Sequence, residues 1–183
     1  TVSMGGSGSK GDGGLVWLSA PDGVALSAEM DLNGVTSTAG SANGGKLVVD
    51  QTADFHFSGT LKAQGDGEAV TGGTVWIDIS EDLTTDATIE LSATDAMETT
   101  GGVIDAVVRG QASLAGPISA HGCKRGGDIS VVSLGSLITY GELNVSGCAG
   151  TIGGQGGTIS LMSLGQGLDA EGTIVANGRE SDG

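Results

Sequence analysis

Two cysteines give the most specific chemical signal in the sequence. The segments 116–123 and 141–148 align residue for residue without a gap, and they end in Cys123 and Cys148. If these segments lie on neighbouring strands, about 4.8 Å apart, the cysteines are close enough to bond. We therefore predict a Cys123–Cys148 disulfide, whose persistence implies an oxidising, extracellular setting. The alternative is two free thiols at a corner.

Two tryptophans occupy the same position of a repeat. Trp17, Val48 and Trp76 each stand three residues after a Gly-Gly pair, between two aliphatic residues. Because strand side chains alternate, these residues should point outward and form an apolar strip across three repeats. Such a strip would recognise a sugar ring or a protein partner. The alternative is that a corner loop, residues 31–43, covers it.

Two aspartates also share a repeat position. Asp50 and Asp78 stand five residues after their Gly-Gly pairs and should stack outward on adjacent repeats. Like charges at that spacing repel unless a cation or solvent screens them, so the interpretations are a Ca²⁺ site or a solvated acidic face. Ten acidic residues and no basic residue lie between Lys62 and Arg109, and the net charge is −15. This charge argues against nucleic acid and anionic membranes as partners.

The remaining titratable residues give little support for catalysis. An active site needs a convergent acid, base and electrophile. His56 and His121 belong to different strands of distant repeats, and Lys124-Arg125 follows His121 without an acidic partner of evident register. We therefore predict that the chain is not an enzyme.

The strands that position these residues follow from a glycine repeat. Six Gly-Gly pairs return at intervals of 25 to 31 residues, and the second and fourth residues after each pair are aliphatic. A period of two places those residues on one face, so each repeat contributes one inward-facing strand to a parallel sheet. The pairs are Gly13-Gly14, Gly44-Gly45, Gly72-Gly73, Gly101-Gly102, Gly126-Gly127 and Gly156-Gly157.

Two further strands complete each repeat. A second, less regular apolar pattern runs through Val24 and Phe55, and a third reads Gly-x-aliphatic-x-aliphatic-x-Gly, as in residues 116–122 and 141–147. Three short strands per ~29 residues predict an all-β, three-sided parallel β-helix (β-solenoid) of about six coils. Right-handed winding is the default for such crossovers. An antiparallel sandwich would not explain why the motif returns at this period.

The pattern is open at both ends of the chain. Residues 1–6 read like residues 173–178, so residues 1–12 are interpreted as the end of a preceding coil and residues 13–183 as six coils. These begin near residues 13, 44, 72, 101, 126 and 156. Open β-helix edges promote further pairing, so we expect a longer parent chain or a head-to-tail homo-oligomer. No apolar run approaches the roughly 20 residues of a membrane span.

A family resemblance is found in two segments of the last repeat. These are residues 156–161, Gly-Gly-Thr-Ile-Ser-Leu, and residues 172–178, Gly-Thr-Ile-Val-Ala-Asn-Gly. This unit resembles the Gly-rich β-helical repeats of large secreted bacterial surface proteins, of the haemagglutinin-like adhesin and autotransporter-passenger type. The resemblance implies export, a fibrous role and no cofactor. We therefore predict a structural subunit or segment of an extracellular β-solenoid filament or adhesin stalk at the cell surface. The alternative is a glycan- or protein-binding adhesin module that uses the Trp17/Val48/Trp76 strip.

Overall fold

The computed structural model describes residues 2–3, 11–36, 40–94, 97–148 and 154–178, and the regular structure within these ranges is all β. Parallel strands stack coil on coil into a β-solenoid, which confirms the predicted fold class. Coils are numbered from one to six, each beginning at its Gly-Gly pair. Five strand pairings connect the first coil to the last, which gives about five turns.

The first face is a parallel sheet of six strands, one after each glycine pair. Its register joins Val16 to Leu47 and continues through equivalent inward positions to Ile159, as the sequence predicts. Inward residues are buried in coils two to five, and outward residues reach the surface. The strands are β2 (Leu15–Leu18), β5 (Lys46–Thr52), β8 (Thr74–Ile79), β11 (Val103–Val108), β14 (Asp128–Ser133) and β17 (Thr158–Ser163).

The second and third faces belong to one sheet of 11 strands, because two long strands run through both. These are β3 (Val24–Asp31) in coil one and β6 (Phe55–Lys62) in coil two. From coil three the two faces have separate strands, so β6 pairs with both β9 (Leu83–Thr85) and β10 (Thr88–Glu90). The later strands are β12 (Ala112–Leu114), β15 (Leu137–Thr139) and β18 (Leu168–Ala170) on the second face, and β13 (Ile118–Ser119), β16 (Leu143–Asn144) and β19 (Ile174–Val175) on the third.

The expectation of three short strands in every coil is therefore wrong for coils one and two. At the position where later coils turn, Gly59 adopts φ 115°. Glycine tolerates this conformation, so β6 continues through the position and Gly59 stays paired with Ala28 of β3. A further strand, β1 (Val2–Ser3), pairs with the end of β3, and Val2 lies opposite Met30 at the third-face register. The division of the chain at residue 12 and the right-handed winding stay predictions.

Apolar side chains at equivalent positions stack into continuous columns inside the coils. The second coil holds the bulkiest residues, Phe55 and Phe57, whose ring centroids lie 6.1 Å apart. Each fully buried aliphatic or aromatic side chain contributes roughly 1.5–3 kcal/mol relative to exposure. One column on the third face comprises Met30, Leu61, Ile89, Ile118 and Leu143, all at most 5% exposed.

Polar side chains connect neighbouring coils at the corners. Asp82 Oδ1 accepts a hydrogen bond from the Gln111 N–H at 2.7 Å, and Asp54 Oδ1 accepts one from the Asp82 N–H at 3.0 Å. These bonds continue the ladder where the chain leaves the strands. The corner between the third face of one coil and the first face of the next also carries a small antiparallel pair, β4 (Ser41–Ala42) with β7 (Asp66–Gly67).

The glycine pairs lie where the third face of a coil meets its first face. A Cβ on Gly72 would lie 1.6 Å from the Leu91 carbonyl oxygen, and the first glycine of every pair is as confined, at 1.6–2.1 Å. From coil two onward, a Cβ on the second glycine would meet the preceding coil, as at Gly157, where it would lie 1.8 Å from the Gly127 carbonyl oxygen. No glycine of the six pairs has a positive φ, so space rather than a left-handed conformation requires glycine here.

We predict that Gly101→Ala destabilises the fold, because the new Cβ would lie 1.9 Å from the Ala120 carbonyl oxygen. The third strand would have to move, at a cost of about 1–3 kcal/mol or more in the free energy of unfolding. Urea denaturation measures this loss. Val103→Ala is the matched control, since Val103 faces outward on the next strand and should change stability by about 0.5 kcal/mol or less. Equal losses in the two variants would refute the packing argument.

Candidate functional site

The candidate site is an open groove on the outer side of the first face. Trp17 on β2 lies opposite Val48 on β5, and Val48 lies opposite Trp76 on β8, so the three residues form one row across three coils. The next coil places Asp105 in the same row, and the apolar strip ends there. The groove has a volume of about 490 Å³ and is lined by Leu15, Trp17, Lys46, Val48, Asp50 and Trp76.

The walls of the groove are the tryptophans and its floor is a smaller residue. Val48 lies between Trp17 and Trp76, whose Cα atoms are two strand spacings apart, or about 10 Å. The Trp17 side chain is 65% exposed, while Val48 and Trp76 are half-buried. A contiguous apolar surface that remains open to water is typical of a contact site.

Two charged residues flank the floor along β5. Lys46 lies two residues before Val48 and Asp50 two residues after it, so all three face outward. Within the described part of the chain, neither charged side chain has a hydrogen bond or an ion pair. The sequence singled out Asp50 only as a metal ligand and missed Lys46, although the period of two in Lys46-Val48-Asp50 contains that information.

The stacked aspartates have a protein cation beside them. Asp50 lies opposite Asp78, as predicted, and Asp78 accepts a hydrogen bond from Arg109 Nη1 at 2.5 Å. This ion pair offsets part of the repulsion between the two carboxylates. Across the described ranges, no group of three or more His, Cys, Asp or Glu side chains is arranged to hold a metal ion. The Ca²⁺ site at Asp50 and Asp78 stays a prediction.

The segment that could have covered the strip is bound elsewhere. The Leu32 N–H donates to the Lys62 carbonyl oxygen at 2.7 Å, and the Gly34 N–H donates to that of Gln64 at 2.9 Å. Farther along, β4 pairs with β7. None of the described residues of the 31–43 segment lines the groove, and residues 37–39 lie outside the described ranges.

The predicted disulfide between Cys123 and Cys148 is confirmed, with a Cα–Cα distance of 4.3 Å. Ile118 lies opposite Leu143 on the strands that lead to the two cysteines, so the gapless alignment of the segments is also their spatial register. His121 Nε2 lies 3.3 Å from Cys148 Sγ. The bond joins the ends of coils four and five, away from the groove on coils one to three.

The basic corner residues have acidic partners that the sequence did not reveal. Lys124 Nζ lies 2.5 Å from Glu98 Oε2, and Arg125 Nη2 lies 2.7 Å from Asp128 Oδ1. These exposed pairs contribute at most about 1 kcal/mol each. His56 and His121 are not brought together, since His56 is on β6 in coil two and His121 follows β13 in coil four.

Comparison of the chain with protein-family models, with curated proteins and with solved structures finds no match. In the described ranges, no helix is long and apolar enough to cross a membrane.

We predict that reduction of the disulfide lowers the free energy of unfolding by roughly 3 kcal/mol, because the bond closes a loop with a sequence separation of 25 in the unfolded chain. Urea denaturation with and without reductant measures the change. The Cys123→Ser/Cys148→Ser variant should match the reduced protein and ignore reductant. Unchanged stability on reduction would contradict the loop-closure account.

Tryptophan fluorescence should report on the groove directly, since both tryptophans of the chain line it. Trp76→Phe leaves Trp17, which is 65% exposed, so we expect red-shifted emission and steep acrylamide quenching. Trp17→Phe leaves the half-buried Trp76, which should be quenched less steeply. The same quenching in both variants would contradict the difference in exposure between Trp17 and Trp76.

Proposed function

We propose that the chain is a structural subunit or segment of an extracellular β-solenoid filament or adhesin stalk, which lengthens by coil-on-coil stacking. The observation that carries the proposal is the exposure of core positions in the last coil. Leu168 and Ile174 are 50% and 47% exposed, whereas Leu137 and Leu143, one coil earlier in the same columns, are fully buried. The interior columns thus reach the end of the described stack without a cover.

The first coil supports the same interpretation. Four of its inward residues are only partly buried, namely Val16, Leu18, Val24 and Leu26. The residues at the equivalent positions of coil two are at most 2% exposed, namely Leu47, Val49, Phe55 and Phe57. A further coil on either end would bury this apolar surface, at about 25 cal/mol per Å².

The strand edges are also available. Among the described strands, β2 at one end and β17, β18 and β19 at the other each have a neighbour on one side only. Such edges carry unpaired N–H and C=O groups that promote pairing with another strand. A coil of matching shape would satisfy these groups and cover the apolar columns. This coil can belong to a second copy or to a continuation of the same chain.

The extracellular and non-catalytic parts of the proposal have separate support. The Cys123–Cys148 bond is of a kind that persists in oxidising compartments. The net charge of −15 disfavours binding to nucleic acid. The two histidines lie in different coils, His56 in coil two and His121 in coil four, so they do not form an acid–base pair with each other.

The stacking proposal predicts that the chain forms particles that lengthen with concentration, seen by negative-stain microscopy and sedimentation velocity. Leu168→Glu/Ile174→Glu should abolish this growth, because it places charges on the exposed end face. Leu134→Glu is the control, since Leu134 is 46% exposed on the side of coil five. Circular dichroism confirms the fold of each variant. Rods of one length at every concentration, or equal growth in the two variants, would rule out end-to-end stacking of this chain.

A further inference from the structure

We propose that the groove on the first face binds a sugar ring of an uncharged oligosaccharide. The ligand would lie on Val48, between Trp17 and Trp76, with its hydroxyl groups reaching Lys46 and Asp50. This inference does not depend on end-to-end stacking. Trp17 lies on the edge strand β2, but the groove faces outward on the side of coils one to three, whereas stacking would cover the interior columns and pair the strand edges.

The shape and apolar character of the groove favour a flat ring. A pyranose carries C–H groups on its faces, which pack against indole rings through dispersion and the hydrophobic effect. Trp17 is 65% exposed, so it has a large indole surface that a ligand can cover. Val48 is the shorter side chain of the row, so the ring can sit between the tryptophans.

The polar residues of the groove favour a ligand rich in hydroxyl groups. The Asp50 carboxylate accepts hydrogen bonds from hydroxyls, and the Lys46 ammonium donates to hydroxyl and ring oxygens. Within the described ranges neither side chain has a partner, so binding breaks no internal bond. The two residues are four positions apart on β5, so their Cα atoms are about 13 Å apart with Val48 midway between them. A ring that lies on Val48 would therefore have Lys46 on one side and Asp50 on the other.

The charge balance favours an uncharged ligand. One cation and one anion line the groove, so its local charge is zero. An acidic polysaccharide would be repelled by a chain of net charge −15. A polycation would be attracted to acidic residues over the whole rod and not to the groove in particular.

The size of the groove argues against a protein partner. A standard protein interface buries about 800 Å² on each side. The apolar part of the row crosses three strands, which is about 14 Å at the strand spacing. The next three positions of the row are polar, namely Asp105, Ser130 and Ser160. One or two sugar rings match this area.

The test is a titration of the intact chain with cellohexaose, maltohexaose and mannohexaose, with an oligogalacturonate of equal length as the charged comparison. At least one neutral hexasaccharide should change the tryptophan emission in a saturable way. By calorimetry, Trp17→Ala and Trp76→Ala should each weaken its binding about tenfold or more. Lys46→Met and Asp50→Asn should each weaken it about threefold or more.

Tyr140→Ala is the matched control, because Tyr140 is an aromatic residue that is 52% exposed and lies outside the groove. This variant should bind as the wild type does, and urea midpoints show that all variants keep the fold. The proposal is overturned by no saturable response to any neutral hexasaccharide at millimolar concentration, by tighter binding of oligogalacturonate, or by equal weakening in Tyr140→Ala. A dimer that Trp17→Ala dissociates and no hexasaccharide displaces would assign the groove to a second copy instead.

Discussion

The whole structure depends on one close approach, where the end of the third face meets the beginning of the first without room for a side chain. At the first glycine of each pair, a Cβ would lie within 2.1 Å of a backbone carbonyl oxygen. This contact sets the start of every first-face strand at the same point of the coil. Residues that follow a pair at equal distance therefore align along the rod. The row of Trp17, Val48 and Trp76 and the pair Asp50–Asp78 both result from this alignment.

The sequence predicted those features that depend on equal spacing. The first face and the disulfide follow from gapless alignment, because each residue after a glycine pair keeps its distance from the pair. The fusion of the second and third faces in β3 and β6 was not predictable. The inward residues are Phe55, Phe57 and Leu61 in coil two, and Leu83, Thr85, Ala87 and Ile89 in coil three. Gly59 is exposed where Ala87 is buried, but the apolar residues on either side have the same spacing, so the sequence pattern does not separate one long strand from two short ones. The Lys124–Glu98 pair could not be predicted from the sequence, because the corners differ in length from coil to coil and equal spacing is lost there.

The different surfaces of the rod have separate roles in the proposed functions. The end coils expose the apolar columns, whereas the side of coils one to three holds the groove. The Cys123–Cys148 bond ties coils four and five and touches neither surface. Repeat proteins gain stability mainly from contacts between neighbouring coils. Changes in the groove should therefore leave the stacking of the later coils intact, and a ligand can be bound without a rearrangement of the interior.

The strand β1 makes one end of the rod uneven. Among the described strands, the third face has one member more than the first face, because Val2 and Ser3 pair with Met30 and Asp31 of β3. β1 therefore occupies the edge of β3 with which β19 of an incoming copy would have to pair. If copies stack as proposed, joining along all three faces would therefore be a strand exchange, in which β1 must leave before β19 can pair with β3. Two residues would then set a kinetic barrier to growth, and the rate of elongation would depend on how often β1 detaches.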